Sequence, residues 1–275
     1  MNFLHVLKED LKRAFLHTKY RYIIVLLMII ALILIPTNIS NRIYERTTEF
    51  GKMGFFDYLF YMLSGAEPVI IEKIDELDIP IAWMAMQFFC SFLIFDYVYY
   101  DLKGVGRNVL IKSKSKFKWW LSKCICTCTM VISVYGILFL SSYIVTLFSG
   151  GESAELHMKL LGSVCKLDGN YEANKDMMVY LVLIPLIVSI SISLFQMMIS
   201  QLVKPVLSMV VIMSVSVFSV YSNYKLWWGN WGMILRSDLC VADGMSGFTA
   251  VILALILGVV GSVVGGIIFS KRDVI

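Results

Sequence analysis

The chain has 275 residues, 59% hydrophobic and 16% charged, with a formal net charge of +4 at neutral pH. Soluble domains carry about 25% charged residues, so this composition excludes an ordinary soluble fold and points to a membrane protein. Nucleic acid is not needed to explain the positive charge, because basic residues gathered beside apolar runs serve membrane insertion and contact with anionic headgroups.

In chain order, residues 1–19 read as an amphipathic helix on the membrane surface. Leu4, Leu7, Leu11, Ala14 and Phe15 recur at helical spacing, with Lys8, Glu9, Lys12 and Arg13 opposite. The first apolar run, Tyr22 to Pro36, follows directly. It is read as a retained span rather than a signal peptide, since Thr37, Asn38 and Ile39 replace a small-residue cleavage site. The segment from Asn38 to Asp78 contains an aromatic stretch, Phe55 to Met62, suited to the headgroup layer. Its acids Asp75, Glu76 and Asp78 have no EF-hand spacing and read as a solvated acidic loop.

The second span is Ile79 to Tyr100. The segment after it, residues 101–123, reads DLKGVGRNVLIKSKSKFKWWLSK. Lys112, Lys114, Lys116 and Lys118 with Trp119 and Trp120 suit a topology signal and headgroup anchor. Gly104, Gly106, Val109, Leu110 and Ile111 are superfluous to that task and suggest a short helix that docks on something. The third span, Cys124 to Phe148, opens with Cys124, Cys126 and Cys128. Positions two apart on a helix face different ways, and no histidine is near, so packing is favoured over a metal site.

Met178 to Leu202 and Pro205 to Tyr221 are the fourth and fifth spans, joined tightly at Val203 and Lys204. The segment from Asn223 to Gly247 carries Trp227, Trp228 and Trp231, which fit either an interfacial belt or a short re-entrant element. The sixth span, Phe248 to Phe269, places Ala254, Gly258, Ser262 and Gly266 at intervals of four, with Gly261 and Gly265 one position offset. Such a stripe lets another helix approach closely, from the same chain or a second copy.

Spans of about 20 apolar residues cross the hydrocarbon core, giving an all-α membrane protein with six transmembrane helices in a single domain. The charge pattern orients it. With the N-terminus inside, 15 of the 24 basic residues lie in inside segments, among them Arg21, Lys103, Arg107, Lys123, Lys204, Lys271 and Arg272, while 15 of the 20 acids lie outside. Cytoplasmic segments carry the Lys/Arg excess, so both termini are expected in the cytoplasm, residues 271–275 forming a short tail. Cys165 and Cys240 then fall in outside segments, where the compartment permits a disulfide.

Catalytic chemistry is missing from the pattern. His5, His17 and His157 form no H-E-x-x-H arrangement, and no P-loop, G-x-S-x-G or dinucleotide fingerprint occurs. Asp96 is the one acid within a span, close enough to its inner end to pair with a loop lysine as readily as to carry protons. Otherwise the midplane reads as almost wholly apolar.

The layout resembles that of ABC-2 type permeases, the membrane subunits of ATP-driven exporters. The lead helix (NFLHVLKEDLKRAF), the basic segment KGVGRNVLIKSKSKFKWW, the tight Val203-Lys204 junction and the aromatic stretch before span six carry the likeness. The resemblance implies a permease that binds no cofactor itself, pairs with a cytosolic ATPase holding ATP and Mg, and works as a homo- or heterodimer in a bacterial plasma membrane. It implies that Lys103, Gly104, Gly106, Arg107, Leu110, Lys112, Lys114, Lys116 and Lys118 form the loop that couples to the ATPase. The expected cargo is an amphipathic peptide or other hydrophobic substrate. A non-transporting accessory, immunity or sensor protein shares every feature except the ATPase, and an intramembrane enzyme is the least favoured reading.

Overall fold

The computed structural model describes residues 2–47, 50–70, 78–113, 115–151, 156–167, 169, 171 and 175–271. Arg272, Asp273, Lys114, Asp75 and Glu76 lie outside the described residues, so of the expected tail only Lys271 is seen. In chain order the helices are α1 (Phe3–Arg46), α2 (Phe55–Leu63), α3 (Ile81–Ile94), α4 (Tyr97–Lys103), α5 (Val105–Ser113) and α6 (Lys116–Ser149). They continue with α7 (Met158–Cys165), α8 (Lys175–Leu202), α9 (Pro205–Val220), the single turn α10 (Trp228–Trp231), a 3₁₀ turn at Ile234–Arg236, and α11 (Gly247–Lys271). Among the described residues there is no strand.

Each of the six apolar stretches is helical, the second divided between α3 and α4. Among the described residues, five units are long and apolar enough to cross a membrane: Phe3–Arg46, Ile81–Lys103, Lys116–Ser149, Tyr180–Leu202 and Gly247–Lys271. By that measure the protein is membrane-embedded. The fifth stretch, α9, has 16 residues, roughly 24 Å of helix against a hydrocarbon core of about 30 Å. Proline at its first position and the preceding extended Lys204 fix where it starts.

The lead helix is not a separate element. α1 is continuous over 44 residues, roughly 66 Å at 1.5 Å per residue, which takes it well beyond a single bilayer crossing. Its inward stripe is Val6, Asp10, Ala14, Thr18, Val25, Ile29 and Ile33, at intervals of mostly four. Leu4 and Phe15 are exposed, and Leu7 and Leu11 are half-buried against the core. The face that packs on the protein therefore contains an acid, and it overlaps the stripe the leucines mark at Ala14, Leu7 and Leu11 while leaving Leu4 and Phe15 outside.

The second span is broken. α3 ends at Ile94, and after Phe95 and Asp96 the chain starts again as α4. α6 is capped by Ser115, whose Oγ accepts the Lys118 N–H at 3.3 Å, and is closed by Gly150 in the left-handed region, φ 71°.

The small residues of α11 pack internally. A Cβ on Gly261 would meet the Leu194 and Phe195 backbone of α8 at 2.6–2.8 Å, and one on Gly258 would meet Ser191 Oγ at 3.0 Å. Gly265 and Gly266 lie against the Trp120 ring, whose Nε1 donates to the Ser262 carbonyl at 2.7 Å. Ala254, Gly258, Gly261 and Gly265 are buried, whereas Ser262 and Gly266 sit half-buried at the edge. The opposite face, Leu255, Ile256, Val259, Val263 and Ile267, is exposed.

Two expectations about environment change. Phe55 to Met62 does not lie at a surface, since α2 buries Asp57, Tyr58, Leu59, Phe60, Met62 and Leu63. Asp57 caps its own helix through the Gly54 N–H at 2.8 Å and holds His157 through that residue's N–H and Nδ1, both at 2.8 Å. The interior is not wholly apolar either. Gln87 and Ser91 of α3 face Ser189 and Gln196 of α8, and Tyr135 of α6 shares a hydrogen bond with Ser189 at 2.9 Å. Neutral hydroxyls and amides between helices are a usual glue in membrane bundles.

Residues 229–237 of the tryptophan-rich segment are all buried, Trp231 among them, while Trp227 and Trp228 are half-buried. Trp231 Nε1 donates to the Lys225 carbonyl at 2.7 Å, and the Arg236 guanidinium satisfies backbone carbonyls around it. Non-helical backbone is tolerated at membrane depth only where protein meets its hydrogen bonds. All six cysteines are free, Cys165 and Cys240 included.

Candidate functional site

Where α1 begins, α3 gives way to α4, and α6 begins, the bundle encloses a cluster of ionised side chains. Lys123, about two turns into α6, is fully buried. Its Nζ donates to the Asp10 carboxylate of α1, to Asp101 Oδ2 of α4 at 2.5 Å and to the Tyr97 hydroxyl at 3.0 Å. The ammonium also lies over the Tyr97 and Trp119 rings, at 4.3 and 4.8 Å from their centroids.

Asp10 is completed by its other neighbours. The Tyr97 hydroxyl donates to Oδ1 at 2.5 Å and Ser122 Oγ to Oδ2 at 2.8 Å. Arg13, one turn further along α1, reaches Asp10 at 3.3 Å and Asp101 at 3.2 Å. Two cations and two carboxylates balance, which is the condition for burying charge at tolerable cost. The cluster joins three chain segments that are far apart in sequence.

A second pair lies beside it. Arg21 grips Asp96 with both nitrogens, at 2.6 and 2.5 Å, donates to the Phe92 carbonyl at 3.3 Å, and stacks over Phe92 and Phe95. Asp96 is thus paired across to α1 rather than to a loop lysine, and it sits at the α3–α4 break. His17 Nε2 is 3.8 Å from the same carboxylate. A pocket of about 170 Å³ between Arg13, His17, Tyr97, Tyr100, Asp101 and Val105 adjoins the cluster.

The segment after the second span is mostly helix, α4 and α5, and it has two faces. Gly106 is buried because a Cβ there would fall 2.0 Å from Asp101 Oδ2, and its carbonyl accepts Trp119 Nε1–H at 3.2 Å. Val109 and Leu110 are buried with it. Lys103, Gly104, Arg107, Lys112 and Lys118 are exposed, together with Val105, Ile111 and Phe117 at 60%, 49% and 73%. Lys116 donates to the Ser270 carbonyl at the end of α11 at 2.9 Å. Of the expected coupling residues, then, Gly106 and Leu110 anchor the segment, the exposed ones face outward, and Lys114 lies outside the described residues.

Nothing here has the makings of a metal centre: among the described residues no three His, Cys, Asp or Glu side chains converge. Cys124 and Cys126 are buried and Cys128 half-buried within α6. Sequence reasoning missed Asp10, Arg13, Tyr97, Ser122 and Lys123 as a group, because their union is tertiary. The one legible signal was the stripe Val6, Asp10, Ala14, Thr18, which put an acid in line with apolar and small residues.

No curated protein and no solved structure matches the chain. One family does, described as a protein of unknown function (DUF2705), with residues 24–275 matched. Because that match takes in every apolar stretch after the first entire, about half of α1, and the α4–α5 segment, the chain belongs to the DUF2705 family.

Proposed function

We propose that this protein is the membrane-spanning permease subunit of an ATP-driven exporter of the ABC-2 type, with six spans and both termini in the cytoplasm. In this reading it pairs with a separate cytosolic ATPase, which holds ATP and Mg, and with a second permease. The observation that carries the proposal is the buried Asp10–Lys123–Asp101–Arg13 cluster. It fastens α1, α4 and α6 together beneath a helix, α5, whose outward face is basic and apolar. A push on α5 would be passed through Gly106 and Asp101 to two of the longest helices instead of being lost in a flexible loop.

The positive-inside rule supports the orientation, since the α4–α5 end of the bundle carries the Lys/Arg excess. The cargo is an amphipathic peptide or other hydrophobic molecule. The test is purification from the native membrane in mild detergent, with mass spectrometry of the co-eluting chains. A stoichiometric P-loop ATPase is expected. Its reproducible absence under crosslinking would replace this reading with an accessory or sensor role.

A further inference from the structure

At the opposite end of the bundle, a non-helical strap of residues 64–70 is held through its backbone and also through the Glu67 carboxylate, which accepts the Gly169 N–H at 3.2 Å and the Tyr171 hydroxyl at 2.6 Å. The Leu235 N–H donates to the Ser64 carbonyl at 3.2 Å. Arg236 Nε donates to the Ala66 carbonyl at 3.2 Å, and Nε and Nη2 donate to the Glu67 carbonyl at 3.2 and 3.1 Å. Asn223 makes a two-bond pair with Val69, accepting its N–H and donating to its carbonyl, both at 2.7 Å. Five peptide groups of the strap are read, and none of the bonds from Asn223, Leu235 and Arg236 depends on a strap side chain.

The reading residues belong to a separate unit. Arg236 donates to the Ser219, Val220 and Ser222 carbonyls and to Asn230 Oδ1 at 2.6–3.0 Å, shorter than its bonds to the strap. Ser219 and Val220 end α9, where the helix dipole favours a cation. Among the described residues no carboxylate pairs with this guanidinium. Burial pushes its pKa down to about 10, leaving it fully charged at neutral pH. Arg236 is therefore set by the end of α9 and would keep its position without the strap, while the exposed Asn223 follows α9 by three residues and spends its side chain on Val69. A cleft of about 330 Å³ adjoins the strap, lined also by Tyr61, Val164, Leu167 and Leu235.

Main-chain hydrogen bonding to a non-helical segment is how proteins bind peptides of varied sequence. We infer that Asn223, Leu235 and Arg236 form a binding site for the backbone of an extended polypeptide, occupied in this state by the chain's own residues 64–69. This deepens the exporter reading by naming polypeptide as the cargo class, and it rests on that reading for its biological meaning. The geometry itself stands apart from any ATPase.

The test uses a fluorescent heptapeptide with the sequence of Ser64 to Ile70 and the purified full chain in lipid nanodiscs. Two variants displace the strap and leave Asn223, Leu235 and Arg236 unsubstituted, although the first also presses on Met233 beside them. Gly65→Val is one, since Gly65 has φ 81° and a Cβ there would lie 2.3 Å from Met233 Cγ. Val69→Pro is the milder one, deleting the N–H given to Asn223. Each is expected to bind the peptide saturably and at least tenfold more tightly than the wild type, whose site is filled.

Shuffling the peptide around a fixed second-position glycine should leave that affinity within a fewfold, whereas adding Asn223→Ala should lower it about tenfold. Failure of both displaced variants to bind, while they elute as folded protein, would overturn the inference. Binding that ignores Asn223→Ala would do the same. If Gly65→Val does not fold, Val69→Pro decides alone. Because no ATPase is present, failure here leaves the exporter reading standing, and peptide binding without a co-purifying ATPase leaves the site standing.

Discussion

Lys123 and Asp10 meet in the interior of the bundle, 113 positions apart in sequence, with Asp101 on the other side of the same ammonium. Asp10 and Lys123 are buried and Asp101 nearly so, so their worth lies in what removing one leaves behind. Lys123→Ala strands two buried carboxylates with Arg13 alone and should cost about 3–5 kcal/mol of stability. Asp10→Asn combined with Lys123→Met should cost less than the sum of the single changes. Thermal unfolding of the detergent-purified variants, read as a double-mutant cycle, checks both expectations.

The outward face of α5 should tolerate substitution in folding terms. Arg107→Glu with Lys112→Glu changes exposed residues only, so expression, insertion and melting temperature should match the wild type. Substrate-stimulated ATP turnover in reconstituted vesicles should fall at least severalfold. Unchanged turnover would remove α5 from the coupling path.

Glycines differ according to what lies over them. Gly261→Val drives a side chain into the Leu194–Phe195 backbone of α8 and should destabilise by about 1–3 kcal/mol or more. Gly136→Ala, in the middle of α6 with nothing within 4 Å of the new methyl group, should stabilise by roughly 0.5–1 kcal/mol. Paired unfolding measurements would separate packing glycines from incidental ones.

Two thiols outside the spans are poor nucleophiles. Burial, and then the Asp57 carboxylate, pushes Cys165 up to about 12, while burial and then Glu67 push Cys240 up to about 11. Alkylation of both should be slow at pH 8 and accelerate only towards those values, against a fast reaction in the unfolded chain. Since the folded state holds these protons more tightly, their contribution to stability is complete below about pH 9 and declines as pH rises through 11 to 12.

Much of the fold was legible because hydrocarbon imposes a simple length rule. All six apolar runs are helical, with ends close to those expected for α9 and α11 and far beyond them for α1, and the α11 stripe found its partner in α8 and Trp120. Misreadings came where tertiary contacts override pattern. The leucines of the lead helix suggested a membrane face, yet the protein-facing stripe that overlaps them holds Asp10. Lys123 was counted as one more loop cation although Asp10, Asp101 and two aromatic rings enclose it. Trp231 and its neighbours fitted either an interfacial belt or a re-entrant element, and residues 229–237 are buried around the carbonyl contacts of Arg236. A single arginine in a polar stretch carries no sign that carbonyls will surround it.

The central claim is that α5 is the docking element for a cytosolic ATPase, and site-specific photocrosslinking in native membranes tests it most directly. A photoreactive residue at Ile111, on the outward face of α5, should yield an adduct identified by mass spectrometry as a P-loop ATPase. The same residue at Val259, on the exposed apolar face of α11, should yield none. An Ile111 adduct with lipid alone, or an ATPase adduct from both positions, would contradict the account.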